Sequence, residues 1–484
     1  MRSRRAIDVR SAALCVVAGT LMAACAVGPD YKRPEIDPPQ QWRMDYPKAA
    51  EVANTKWWEQ FGDPVLNQLI ESALRENLDV RAAAARVDQF LGALSTTRSQ
   101  FFPQVGYSGS ASRNRASQVG PTPLAPGVDP TYSLYQGGLT ASWQIDLFGR
   151  VRRQSESVQA QVFASEQGRR GVILSLVASV ATSYINLRAL DRELEIARAT
   201  ARNYGDTLQL FQLRFQGGVV SQVEITQIES QYQQALATIP SIELQVAAQE
   251  NLISVLLGRN PGAIPRGKSI DELAAPSIPA DLPSELLERR PDILQAEQVM
   301  VSANANIGVA KSLYFPTISI TGLFGSLSTA ASDFLTGPAS TWTAAADLAG
   351  PIFTFGAIGG QVQTAEAAKL EAELFYRRAI LTAFRETNDA LTGSQKKHEE
   401  AQAQAKRVVA LREYARLSRM RFDNGVASYI EVLYAENELF SAELIAVNAQ
   451  AERYAQLVAV YQSVGGGWVD AADAIALPPK ADGK

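Results

Sequence analysis

Cysteine and histidine are nearly absent from this chain. Its 484 residues hold two cysteines, Cys15 and Cys25, and one histidine, His398. Both cysteines lie near the start, which leaves nothing for a disulfide framework or a thiolate metal site. A lone imidazole excludes most zinc chemistry by counting. A basic excess is also missing: 46 Lys and Arg stand against 50 Asp and Glu, for a net charge of −4. Arg2, Arg4, Arg5 and Arg10 against Asp8 put about +3 on the first 24 residues, so the remainder carries about −7. No basic patch is left for a nucleic acid. Walker-type Gly-Lys-Ser/Thr, Ser-His pairs and clustered metal ligands are lacking, and no cofactor, metal or catalytic site is expected. Phe355–Gly360 is glycine-rich but lacks the spacing of a phosphate loop, and reads as a strand-to-helix junction. After Cys25 no apolar run of about 18 residues occurs, so no transmembrane helix is predicted. A membrane crossing by this chain would take a closed β-barrel.

What is present begins with a targeting segment. Residues 1–10 are basic, and residues 11–24 are apolar but too short for a stable span. This is a secretory signal. Its end, Leu21-Met22-Ala23-Ala24-Cys25, resembles the lipobox of bacterial lipoproteins, with Cys25 the residue that takes lipid. Two or more acyl chains make a stable anchor where one is marginal. Ala26 resembles the pattern of lipoproteins sent to the outer membrane.

The chain is then written twice, with a period of about 210 residues. Asp79-Val80 answers Asp292-Ile293, and Phe101-Phe102-Pro103 answers Tyr314-Phe315-Pro316. Ile145–Gly149 answers Ile352–Gly356, and Arg214–Ser221 answers Arg421–Ser428. The offset drops from 213 to 207 between the second and third landmarks, which places a length difference in the loops at 116–130 and 328–340. Each half reads as helix, strand, loop, strand, very long helix, tight turn, helix. Proline is absent from 150–239 and 352–477. Ile173, Leu176, Val180, Leu187, Leu190, Leu194, Ala197, Ala201, Tyr204, Leu208, Phe211 and Phe215 keep steps of three and four, broken only at Ser183. This is a coiled-coil seam. A helix from 150 to 216 would be roughly 100 Å long.

Residues 135–146 alternate, with Tyr135, Leu139, Ala141, Trp143 and Ile145 against Gln136, Thr140, Ser142, Gln144 and Asp146. Residues 341–352 do the same, with Trp342, Ala344, Ala346, Leu348 and Ile352 against Thr341, Thr343 and Asp347. Segments 103–112 and 317–327 alternate less strongly. These strands have the length and pattern of an outer-membrane barrel, apolar to lipid and polar to the lumen. Four strands per chain cannot close a barrel whose smallest form has about eight. Two chains would supply about eight strands and three about twelve, and the strand count alone does not choose between them.

Several motifs then stand in order: Cys25-Ala26-Val27-Gly28-Pro29-Asp30-Tyr31, Trp57-Trp58, Phe61-Gly62-Asp63-Pro64, Leu257–Gly262, Arg289–Ile293 and Gly465-Gly466-Gly467-Trp468. Through them nearly the whole chain resembles the TolC-like outer-membrane efflux proteins, in the lipoprotein branch typified by OprM and NodT. The resemblance implies a mainly α fold with membrane β: a homotrimer whose twelve strands form one barrel. A long α-helical coiled-coil barrel continues it, with a mixed α/β equatorial belt. The expected layout is signal peptide 1–24, lipidated N-terminus and equatorial segment 25–70, first repeat 71–258, linker 259–290, second repeat 291–464 and C-terminal segment 465–484. It also implies a passive exit duct for drugs or other small molecules, partnered by a periplasmic adaptor and an inner-membrane RND-type transporter, in a Gram-negative outer membrane. The reading set against it is a periplasmic coiled-coil lipoprotein with no pore.

The two tight turns carry the candidate functional residues. Gly218 and Gly425 suit the left-handed position after a helix. Ser221 with Glu224, and Ser428 with Glu431, have the spacing of a capping box. Two hairpin turns would explain these residues fully. The resemblance adds that the turns form the periplasmic tip, with Arg214, Gly218, Val219, Arg421, Gly425 and Val426 meeting the adaptor. It also places a gate at Ile430 (an apolar ring), Glu431 and Tyr434 (acidic positions in the family), with Arg421 holding the closed tip. Tyr434 departs from the acidic pattern. His398, among Lys396, Lys397, Glu399 and Glu400, reads as a solvated residue.

Overall fold

Both halves of the chain run through one order of elements. In the computed structural model, residues 26–35, 56–119, 125, 127–278, 286–465 and 468–476 are described. Cys25, the residue expected to take lipid, lies outside them. A short helix α1 (Pro64–Glu76) precedes the first half, which comprises α2 (Leu78–Ser99), β1 (Gln104–Arg115), β2 (Thr131–Ile145), α3 (Arg150–Gln216) and α4 (Gln222–Leu256). The second half comprises α5 (Pro291–Ser312), β3 (Thr317–Ser328), β4 (Ser340–Ala349), α6 (Ala357–Asp423) and α7 (Tyr429–Val464), followed by α8 (Trp468–Ala476). Helices α3 and α6 each have 67 residues. The absence of proline permits such length; Pro240 sits inside α4.

The chain divides into two compact units. The first, Met1–Glu35, Val87–Ser165 and Ala296–Tyr376, holds a four-stranded antiparallel sheet of order β1-β2-β3-β4. Side chains alternate between faces along a strand. The pairings Tyr107↔Leu139, Leu139↔Phe324 and Phe324↔Trp342 therefore place apolar residues on one face, together with Val105, Trp143, Ile320 and Leu348. Ser142↔Thr321, Ser319↔Asp347 and Gln104↔Ser142 set polar residues on the other. Tyr107 is 90% exposed and Trp342 73%. Two expectations are corrected. Asp146 leaves the strand, and its carboxylate accepts the N–H groups of Val151 and Arg152, both at 2.9 Å, capping α3. Ile352 lies beyond β4, which stops at Ala349 ahead of Pro351; proline has no N–H to give a ladder.

The segment after Cys25 is built into the same unit. The Val27 N–H donates to the Phe148 carbonyl at 3.2 Å. The Arg153 guanidinium, 7% exposed, donates to the Val27 and Gly28 carbonyls and to Asp30 at 2.7 Å. Gly28 (φ +107°) lies so close to Gly308 that any Cβ there would overlap the Gly308 backbone.

The second unit, Ile36–Arg86, Glu166–Gln295 and Arg377–Lys484, is centred on aromatic rings. Trp57 stacks on Tyr461 at 5.1 Å, and both Trp57 and Trp58 meet Trp468 edge to face. Asp63, fully buried, caps α1 through the Val65 N–H and also accepts from the Tyr184 hydroxyl and the Lys268 N–H. Ile173, Val177, Val180 and Leu187 of α3 are buried in this core. One stretch of α3 is apolar enough by composition alone to cross a membrane, with mean hydropathy 1.4. This qualifies the expectation that no such stretch follows Cys25. The stretch is 61% buried, so its apolarity is spent on the core. His398 is not simply solvated either: its Nε2 is 2.9 Å from Gln402, and it lines a cleft with Ala275–Ile278.

Truncating a buried tryptophan leaves a large cavity. Trp468→Ala is expected to cost about 3–5 kcal/mol, read as lost hydrogen-exchange protection in α8 and the Trp57–Phe61 turn.

Candidate functional site at the paired helical turns

The turns after α3 and α6 close by one mechanism. At the first, the Val219 N–H donates to the Arg214 carbonyl (2.9 Å) and the Gly218 N–H to Phe215 (2.8 Å). At the second, Val426 donates to Arg421 (3.0 Å) and Gly425 to Phe422 (2.9 Å). These bonds form the Schellman motif, which needs a left-handed residue. Gly218 has φ +72° and Gly425 φ +73°. Val219 and Val426, the residues that follow, are 74% and 67% exposed.

The starts of the next helices differ. Ser221 and Glu224 make the expected capping box, with the Ser221 N–H donating to Glu224 at 2.7 Å. At the second turn the box is not formed. The Ser428 hydroxyl accepts from the Ile430 N–H at 3.4 Å, while Glu431 accepts from the Arg421 guanidinium at 2.6 Å. A charged guanidinium holds a carboxylate more strongly than an uncharged backbone N–H does. Glu431 is thereby turned toward Arg421. Ile430 and Tyr434, one helical turn apart, are 56% and 60% exposed.

Behind the turns, Phe211 of α3, Phe422 of α6 and Tyr429 of α7 form a ring cluster, with centroids 4.4 to 6.0 Å apart. The Arg214 guanidinium lies over Phe211 and Phe422, at 5.6 and 5.9 Å. Arg214 thus links the two turns, although they are far apart in sequence.

Sequence reasoning missed a charged group beneath this cluster. The Glu436 side chain is 16% exposed, with Arg419 3.6 Å from its carboxylate. Burial pushes the Glu436 carboxyl above its usual range, partly offset by Arg419. Burial also raises the Tyr429 hydroxyl to about 12, with Glu436 adding to the effect. One signal for this was available: an acid falls at 436 on the stripe Tyr429, Val432, Phe440, where an apolar residue is due.

Residues 69–259 and 282–466 match the profile of the outer membrane efflux protein family. The chain belongs to that family. Among its relatives, the probable efflux pump outer membrane protein TtgC of Pseudomonas putida is 32% identical over 94% of this chain and 95% of its own. The probable outer membrane lipoprotein SilC of Salmonella typhimurium is 30% identical over 93% and 97%. The crystal structure of the open state of the Neisseria gonorrhoeae MtrE outer membrane channel is 28% identical, covers 92% of this chain and 99% of that one, and superposes with a TM-score of 0.83. In this outer membrane efflux protein the antiparallel sheet and the duplicated long helices are thus the family's fold.

A raised folded-state pKa at Glu436 makes the protonated form the better packed one. The stabilisation it gives is full below the ordinary carboxylate pKa and is lost as pH rises through the raised value. Hydrogen-exchange protection around the turns is expected to fall over that window in the wild type. In Glu436→Gln the fall should be absent.

Proposed function

We propose that the protein is the passive exit duct of a tripartite efflux system in a Gram-negative outer membrane. Three copies supply twelve strands to one barrel, and their helices continue it as a tunnel through the periplasm. A periplasmic adaptor meets the turns, and an inner-membrane RND-type transporter delivers drugs or other small molecules. The observation that carries this reading is a four-stranded sheet, apolar on one face and unpaired at both edges, in a chain of this family. Such edges are forbidden in lipid, where no water satisfies them. The duct's own role is to open and close. Val219 and Val426, exposed beside Gly218 and Gly425, suit an adaptor surface, with Arg214 and Arg421 behind them. Ile430, Glu431 and Tyr434 are the gate residues, and the Arg421–Glu431 pair favours the closed set. Adaptor contact then shifts a two-state equilibrium toward the open packing.

Breaking that pair tests the gate. Arg421→Ala or Glu431→Gln should raise single-channel conductance or open time in planar bilayers, with trimers unchanged on sizing. Conductance equal to wild type in both variants refutes the role of the pair.

Lipid at Cys25, in line with the relative named a lipoprotein, is an accessory tether, because a closed barrel holds itself in the membrane. Cys25→Ser carrying an ordinary signal should lower yield or targeting. The molecules that reach the outer membrane should still restore export in a deletion strain.

A further inference from the structure

Charge is almost absent from the four strands. Together β1, β2, β3 and β4 hold three charged residues: Arg113, Arg115 and Asp347. The pairing of β1 with β2 runs one to one from Gln104↔Ser142 to Arg115↔Thr131, with no bulge to exchange the faces. Side chains two residues apart therefore share a face. Arg113 and Arg115 stand on the face of Val105, Tyr107, Leu139 and Trp342, whereas Asp347 lies on the other face with Ser319. The apolar face thus ends in two arginines, at the end of β1 far from α2. Both are exposed, and among the described residues neither guanidinium has an ion-pair or hydrogen-bond partner.

Their height on the sheet decides what they meet. A barrel strand rises about 3.4 Å per residue and tilts by about 35–45°. Continuing the register by one rung sets Pro103 across from Trp143, whose indole N–H donates to the Phe101 carbonyl beside the exposed Phe102. These rings suit an aromatic girdle at the helix end of the sheet. Arg113 and Arg115, ten and twelve residues beyond Pro103, lie roughly 24 to 33 Å above that girdle. The apolar band of such a barrel is about 25 Å tall. An arginine facing lipid is costly at the midplane and nearly free at the interface. Both arginines therefore reach the far headgroup level. Their neighbours on the same face turn polar there too: Ser133 opposes Arg113, and Thr131 opposes Arg115. Tyr135, on the rung of Ala111, is the last aromatic residue below them.

We propose that Arg113 and Arg115 bind the phosphate groups of a polyanionic lipid in the outer leaflet. This rests on the duct reading above and adds a specific ligand to its barrel. A guanidinium fork matches two phosphate oxygens, and charge-assisted bonds of this kind are about twice as strong as neutral ones. Two forks on one face, two residues apart, stand about 6.8 Å from each other, so one headgroup engages both. The hydroxyls of Thr131 and Ser133 can donate to the same oxygens. The next acid along the chain, Asp129, accepts the Thr131 N–H at 2.8 Å rather than a guanidinium. Two unmatched positive charges favour a lipid with excess phosphate over a zwitterionic one, whose ammonium they would repel.

The probe is lipopolysaccharide added to delipidated trimers in detergent, with retained lipid measured by native mass spectrometry. Wild type should hold it roughly ten-fold more tightly than the same lipid with its phosphates removed. In Arg113→Gln/Arg115→Gln that preference should vanish, while conductance in planar bilayers stays at the wild-type level. Arg113→Lys/Arg115→Lys should keep part of it, because the charge remains and the fork is lost. Millimolar inorganic phosphate should not displace the lipid. Equal affinity of wild type for the two lipids, or a preference that survives in the double glutamine variant, overturns the proposal. Displacement by inorganic phosphate assigns the arginines to a free anion and overturns it as well. Should the double variant not assemble, Arg115→Gln alone decides, and an undiminished preference there contradicts the proposal. A wild type that conducts but does not discriminate defeats the lipid site alone. A wild type that forms no conducting trimer defeats the duct reading, and the lipid site with it.

Discussion

A strand edge carries a row of backbone N–H and C=O groups, and lipid offers nothing to pair with them. Each unmet group costs several kcal/mol, so an open sheet in a bilayer is not a stable structure. Here β1 and β4 are both edges, and the sheet between them is apolar on the face that lipid would meet. This constraint turns a four-stranded sheet into one part of a larger ring. The duplication supplies two equivalent hairpins per chain, and equivalent hairpins close a ring with a single kind of joint. The segment after Cys25 is locked to the same unit by Arg153, Asp30 and the Gly28–Gly308 contact.

The repeats diverge where their tasks differ. At the first turn the capping box satisfies its own backbone, and Glu224 is consumed locally. At the second, Glu431 leaves the cap for Arg421, which leaves that turn with a charge pair in place of a closed backbone motif. Along the strands, Pro351 shortens β4 while Gln144 lets β2 run on. Two copies of one plan have thus become one turn closed by its own backbone and one held by a charge pair, and one longer strand and one shorter strand.

The sequence was legible where a local pattern carries the information. Helix lengths followed from proline absence and the seam of threes and fours, and the turn glycines from their place after it. Alternation located all four strands, but it ran too far at Asp146 and Ile352. The causes there lie outside alternation: one side chain was taken by the α3 N-terminus, and one strand was stopped by Pro351. The tip was half legible. Gly218, Gly425 and the first capping box followed from spacing, whereas the Arg421–Glu431 pair, the Arg214 bridge and the Arg419–Glu436 pair join residues from different helices. No local pattern encodes those meetings. The acid at 436 on an apolar stripe was the one available hint.

The magnitudes at the turns decide which contacts hold them together. The rings of Phe211 and Tyr429 are about 1% exposed, and Phe422 packs on both. Burying such rings is worth roughly 1.5–3 kcal/mol each, and their mutual geometry adds about 0.5–1.5 kcal/mol per pair. Together with Arg214 they tie the α3–α4 turn to the α6–α7 turn of the same chain. The Arg421–Glu431 pair is half exposed on the arginine side, and pairs of that kind are worth about 0–1 kcal/mol. An opening that split the two hairpins of one chain would have to break the ring cluster. The Arg421–Glu431 pair joins the two ends of one turn and adds nothing to the tie between the turns. Within one chain the ring cluster therefore binds the two turns into one body, and Ile430 and Tyr434 stay exposed outside it.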